Sequence, residues 1–286
     1  MEKRELRLRM LDAFTVYAIA FIVTVLCWVL YGFIGVAALY IGYALAVAAV
    51  IIVSLKTKLK ISAVLKFGRP GIKEIISCGF LTAGALLASL PAVLFVQIIL
   101  PDFAESSFRF SQIVGNGAAR YVHIVMLILI SAFTECMLFD GYIFTRLRKG
   151  MRLLFVALIT GALFMVFRHD LYVIVPLFMC GAAISYVRGR TSNMTLPLIM
   201  HIIINTVIMA FTDAASEDPT ALFGAKLGIV QVIGMGLILL GSALPVTAVG
   251  MRIMGDFKNR PIFEKAIVLL VSVVMISTGY AISRIS

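Results

Sequence analysis

The sequence predicts an all-α fold: a polytopic transmembrane helix bundle of eight to nine spans. Three observations carry that reading. Hydrophobic residues make up 62% of the 286 residues and charged residues only 14%, against roughly 45–50% and about 25% in a soluble domain. The mean hydropathy is +1.08. The apolar residues gather into runs close to the roughly 20 residues that a span needs, and the basic residues fall in alternate short connections between those runs.

Taken in order, nine runs qualify. The first two, about Ala13 to Tyr31 and Phe33 to Leu55, share almost no linker and predict a tight hairpin. The third covers Ile75 to Leu100 and the fourth Tyr121 to Thr145. Leu153 to Phe167 is short, and Leu171 to Val187 and Met194 to Phe211 follow it. Leu227 to Val249 and Ala266 to Ser283 close the chain. Lys56 to Lys73 is the longest basic connection. Its loose alternation of apolar and basic residues fits a helix lying on headgroups, and it fits a plain solvated loop equally well. We divide the chain into a hairpin with its basic loop (1–74), a core (75–212) and C-terminal spans (213–286), all within one structural unit. No internal repeat and no soluble domain are apparent.

The net charge of +11 does not point to nucleic acid, because the basic residues orient the chain in a membrane and meet anionic headgroups. The N-terminus and the connections after spans two, four, six and eight are basic, which predicts a multi-pass protein with a cytoplasmic N-terminus, in the plasma membrane of a prokaryote. The opposite loops, PDFAESSFRF and DAASEDPT, are acidic or nearly neutral. Cys27, Cys78, Cys136 and Cys180 lie in apolar segments without C-x-x-C spacing and read as free, buried thiols. No cleavable leader is expected, because the first apolar run is long enough to span and no small-residue cleavage site follows it.

A carboxylate at the centre of a bilayer costs about 2.5–3.5 kcal/mol on insertion scales, which marks Glu135 in SAFTECMLFDGY as functional. On an α-helix Glu135 shares a face with Ser131, Ala132, Leu138, Phe139 and Tyr142. Asp140, five positions on, falls about 140° away and points elsewhere. His201 and Asn205, spaced i, i+4, present two polar groups on one face of span seven. Interhelical hydrogen bonding alone would also account for them. Glu135 lies eleven residues from Arg146, and His201 eleven from Arg190, so both sit about 16 Å from the basic side at about 1.5 Å per residue. His169 lies deeper by the same arithmetic and joins them only if the chain breaks near Arg168–His169–Asp170, which lipid tolerates beside a cavity. His123 reads as an interfacial polar residue.

Glu135, His169, His201 and Asn205 in this order resemble the CPBP family, also called Abi, of intramembrane endopeptidases related to the type-2 CAAX prenyl protease. The first motif, E-E-x-x-x-R, often E-E-x-x-F-R-G, is similar to Glu135-Cys136-Met137-Leu138-Phe139-Asp140-Gly141. F-x-x-x-H is similar to Met165 to His169, and H-x-x-x-N or H-x-x-x-D to His201 to Asn205. The resemblance covers about Ile75 to Phe211. Cys136, Asp140 and Met165 depart from the pattern.

The resemblance implies catalysis by Glu135 as general base with His169 as its partner, and His201 and Asn205 as oxyanion donors. The implied substrate is a membrane protein or peptide cut near the cytoplasmic half of the bilayer, without a cofactor. The departures at 136 and 140 favour a different reading: a catalytically inactive member acting as a membrane regulator or a bacteriocin-immunity-type binding protein. Two His and one Glu are also legitimate zinc ligands, and the alternative set is Glu135, His169 and His201, although H-E-x-x-H is missing. An intramembrane Glu and His also suit a proton path, against which the missing repeat counts. The sequence sets no oligomeric state.

Overall fold

The computed structural model describes residues 2–99, 118–168, 170, 173–217, 228–256 and 261–284. Among them every regular element is helical. Helix α1 (Glu2–Ile34) turns at Gly35 into α2 (Val36–Lys56). Gly35 has φ +61°, a left-handed value that glycine adopts without steric cost, and its N–H closes the end of α1 on the Tyr31 carbonyl at 2.8 Å. This is the expected tight hairpin.

The basic connection that follows forms a single turn, α3 (Ile61–Val64). It is neither a long surface helix nor a free loop. Asn193 clamps it by accepting from the Gly68 N–H and donating to the Gly68 carbonyl, both at 3.1 Å. The Met194 N–H also donates to the Lys66 carbonyl at 2.9 Å. The connection is therefore a strap tied across the bundle end.

Next come α4 (Ile72–Ile99), α5 (Ala118–Glu135), a π-helical stretch (Cys136–Ile143) and α6 (Phe144–Arg148). Then follow α7 (Leu153–Phe167), α8 (Ile174–Thr191), α9 (Thr195–Glu217), α10 (Ile229–Ile253) and α11 (Ile262–Ser283). The π stretch is the centre. All eight of its residues are buried, and it touches α1, α2, α3, α7, α8 and α9. On the other side α10 packs between α4 and α11. There a Cβ on Gly234 would come within 2.6 Å of the Gly279 carbonyl, the small-residue contact that brings membrane helices together.

Large apolar side chains such as Phe33, Ile52 and Leu270 face outward, as lipid-facing residues do. Among the described residues six helices are long and apolar enough to cross a membrane, and α7 and the first sixteen residues of α9, Thr195–Ala210, are shorter apolar helices. The chain is thus an integral, multi-pass helical bundle. The expected spans that fall short of a full apolar crossing are α7, α8 and α9. Span six starts three residues later than expected, at Ile174, because α7 ends at Phe167 and the chain breaks there as Arg168–His169–Asp170 predicts.

The basic connections gather at one end of the bundle. Arg146 pairs with Asp12 at 3.3 Å, and Arg190 pairs with Asp256. Loop Pro101–Phe110 and the end of the second acidic loop lie outside the described residues. The four cysteines are free and buried.

Candidate active site

Glu135 is the last residue of α5 and is fully buried. Two elements supply its partners. Arg168, capping α7, donates from Nη1 to Oε1 at 2.8 Å. Asn205 on α9 donates from Nδ2 to Oε2 at 2.9 Å and to Ser131 Oγ at 3.1 Å. His201 Nδ1, one turn before Asn205, lies 3.4 Å from Oε2. Tyr43 of α2 approaches Arg168 and Ser131. The equal-depth argument for Glu135 and His201 matches this placement.

Asp140 corrects the sequence expectation. It does not point away, because its carboxylate Oδ2 accepts from His201 Nε2 at 2.8 Å. The reason is the π geometry between the two acids. A helix bonded i to i+5 turns less per residue than an α-helix, so residues five apart lie nearer one side, and Glu135 and Asp140 both reach the His201 ring. The imidazole lies between the two carboxylates. Ser185 Oγ donates to Asp140 Oδ1 at 2.8 Å, and Arg188 Nε donates to the Asp140 carbonyl at 3.2 Å.

Aromatic walls enclose the ring. Phe164 meets His201 edge-on with centroids 5.2 Å apart. Phe139 stands edge-on to Phe164 and Phe167, at 5.4 and 5.3 Å. In so apolar a setting, charges interact far more strongly than in water. Two polar atoms at the centre, His201 Nδ1 and Asn205 Oδ1, are buried without a hydrogen-bond partner among the described residues.

The structure thus brings Glu135, His201 and Asn205 together. His169 lies outside the described residues. His123 is remote from the site and bonds through Nδ1 to the Tyr40 hydroxyl at 2.9 Å. Cys136, which stands where the motif has a second Glu, turns its thiol toward the Met194 carbonyl at 3.8 Å. Sequence reasoning missed Arg168 as the partner of Glu135, and Ser185 and Arg188 as partners of Asp140. Ser185 and Arg188 are spaced i, i+3 on one helix face, a signal as legible as that of His201 and Asn205.

Zinc does not suit the described part of the site. A dication on Glu135 would compete with the Arg168 guanidinium already 2.8 Å from Oε1. Among the described residues no group of three His, Cys, Asp or Glu side chains could hold a metal ion.

Comparison with known proteins agrees with the three motifs. Residues 117–207 match the family model described as type II CAAX prenyl endopeptidase Rce1-like. No curated protein and no solved structure matches the chain. The match begins just ahead of α5 and ends two residues after Asn205, so it takes in the buried carboxylate, the π stretch and the His–Asn face together. Over residues 117–207 this membrane protein is thus similar to the Rce1-like type II CAAX prenyl endopeptidases, the family that its motifs resemble.

Proposed function

We propose that the chain is an intramembrane endopeptidase that hydrolyses a membrane-proximal peptide bond with water activated by Glu135. The observation that supports this most is the convergence of Arg168, Asn205 and His201 on one fully buried carboxylate. The Arg168 guanidinium bonds Glu135 Oε1 and sets the carboxylate's orientation. Glu135 removes a proton from water as the water oxygen bonds to the carbonyl carbon, and the carbonyl π electrons move onto oxygen. Protonated Glu135 is a weaker acceptor, so an Asn205 N–H is released to that oxyanion, with His201 beside it. Donors fixed in a water-poor site are worth more than in water. Glu135 then passes its proton to the leaving nitrogen as the C–N bond breaks. His169 assists Glu135 in this reading. No cofactor takes part.

The substrate is a membrane protein or lipid-anchored peptide that enters from the bilayer near the strap end. The basic connections gathered there support a cytoplasmic location for that end and for the N-terminus, in a prokaryotic plasma membrane.

The test is cleavage of a panel of prenylated and unmodified membrane-proximal peptides by the full chain in liposomes. Glu135→Gln should abolish cleavage, and cleavage surviving in that variant would remove the mechanism.

One observation favours a second reading, in which the chain is an inactive member that binds a membrane partner. Both carboxylates already have bonded partners, Arg168 and Asn205 on Glu135, and Ser185 and His201 on Asp140, as in a purely structural network. A partner-dependent function that persists in both Glu135→Gln and His201→Ala would favour this reading over hydrolysis.

A further inference from the structure

The first motif has Arg where this chain has Asp140, and the structure gives the exchanged side chain a definite task. Asp140 reaches His201 only because the π stretch carries it to the Glu135 side. Its Oδ2 accepts the Nε2 proton at 2.8 Å. Its Oδ1 is held by Ser185 Oγ at 2.8 Å, and its carbonyl by Arg188 Nε at 3.2 Å. Both anchors come from α8, one on the carboxylate and one on the backbone of the same residue, so the acid is held before it meets the ring. Phe164 limits the ring's tilt from the apolar side. The other ring nitrogen, Nδ1, is buried, makes no hydrogen bond among the described residues and lies 3.4 Å from Glu135 Oε2.

We infer that Asp140 is the positioning residue for His201: it binds the Nε2 N–H and so turns Nδ1 to Glu135 and the reacting carbonyl, where the ring acts as oxyanion donor in its doubly protonated form. The catalytic part of this inference rests on the endopeptidase reading; the orientation of the ring does not. A carboxylate on one imidazole nitrogen holds a proton there and fixes which way the ring faces, and in the doubly protonated ring the other nitrogen is also a donor. The loss of the motif Arg is then not a simple loss of charge. The guanidinium contact to Glu135 comes from Arg168 on α7, and position 140 is free to carry a ring-orienting acid.

Two measurements on the full chain in nanodiscs test this separately. The chain has three histidines, so ¹⁵N-histidine labelling with His201→Gln assigns the ring nitrogens of His201. Wild type should show Nε2 as a strongly hydrogen-bonded N–H. Asp140→Asn should change the resonances of both ring nitrogens, and Ser185→Ala should shift the Nε2 resonance in the same direction by less. Resonances of His201 that are identical in wild type and Asp140→Asn overturn the inference, whether or not the protein cleaves peptides.

In the cleavage assay, Asp140→Asn should lower kcat on the order of 100-fold, the scale of a misplaced acid–base group, with KM unchanged. Asp140→Glu should recover part of that loss. An equal fall in Asp140→Asn and Asp140→Glu, accompanied by loss of monodisperse folded protein, overturns the positioning role in favour of a structural one. If wild type cleaves nothing, the endopeptidase reading fails and the NMR result alone decides the Asp140–His201 contact.

Discussion

Glu135 and Asp140, five residues apart on one continuous helix, face the two nitrogens of the same imidazole, at 3.4 Å from Nδ1 and 2.8 Å from Nε2 of His201. Two acids that an α-helix would hold apart share one ring because the helix between them is wound wide. Each prediction below follows from a contact in or around that arrangement.

Arg168→Leu should be the most destabilising single change in the site. It leaves Glu135 buried without its guanidinium, and breaking a buried ion pair from one side costs about 3–5 kcal/mol. Thermal unfolding in detergent should show a large drop in Tm. Addition of Glu135→Gln should restore much of it, because the neutral amide no longer needs a counter-charge. A double variant no more stable than Arg168→Leu would show that the pair does not matter.

Asn205→Ala removes the amide that serves both Ser131 Oγ and Glu135 Oε2. Cleavage should fall on the order of 100-fold or more, as for loss of an oxyanion donor. Asn205→Asp should not rescue it, since a carboxylate cannot donate to Glu135. Equal activity in the Asp variant and wild type would place the donor elsewhere.

Gly141 marks where the strap docks on the π stretch. A Cβ there would lie 2.7 Å from Val64 Cγ1 and 3.1 Å from the Val64 carbonyl, and the second contact is to backbone, which cannot rotate away. Gly141→Ala should cost about 1–3 kcal/mol as an overpacked contact. Trypsin should then cut faster between Lys58 and Arg69. Asn193→Ala, which removes both bonds to Gly68, should speed the same cuts by a different route.

Chelation should leave cleavage unchanged, because Arg168 holds the side of Glu135 that a dication would need. Elemental analysis of the purified protein together with activity after chelator treatment checks this. Activity lost to chelator and restored by zinc would overturn it.

The residues differed in what they revealed before the structure. Equal spacing from the nearest arginines placed Glu135 and His201 at one depth, and the i, i+4 pairing put Asn205 beside His201; regular α geometry sufficed for both. The same geometry misplaced Asp140, because it assumes 3.6 residues per turn through a stretch that has more. Arg168 was legible as the end of α7 but not as a partner of Glu135. A break says where a helix stops and not which way the next side chain turns. The basic connection after α2 offered no decision between surface helix and loop, since its course depends on Asn193 and Thr195, far along the chain.

The wide coil also has a consequence for chain length. It holds a residue that a tighter coil would not, yet Arg146 just beyond it still meets Asp12 and the Tyr142 ring. The added length is absorbed locally and the anchor downstream keeps its place. Removing one residue between Cys136 and Phe139 would let the backbone tighten while that anchor stayed seated, and the two acids, now four apart, would again share a face; tightening without the deletion would swing the acid off the ring. Whether acid and ring meet is decided here by the count of residues along a helix as much as by the chemistry of either side chain.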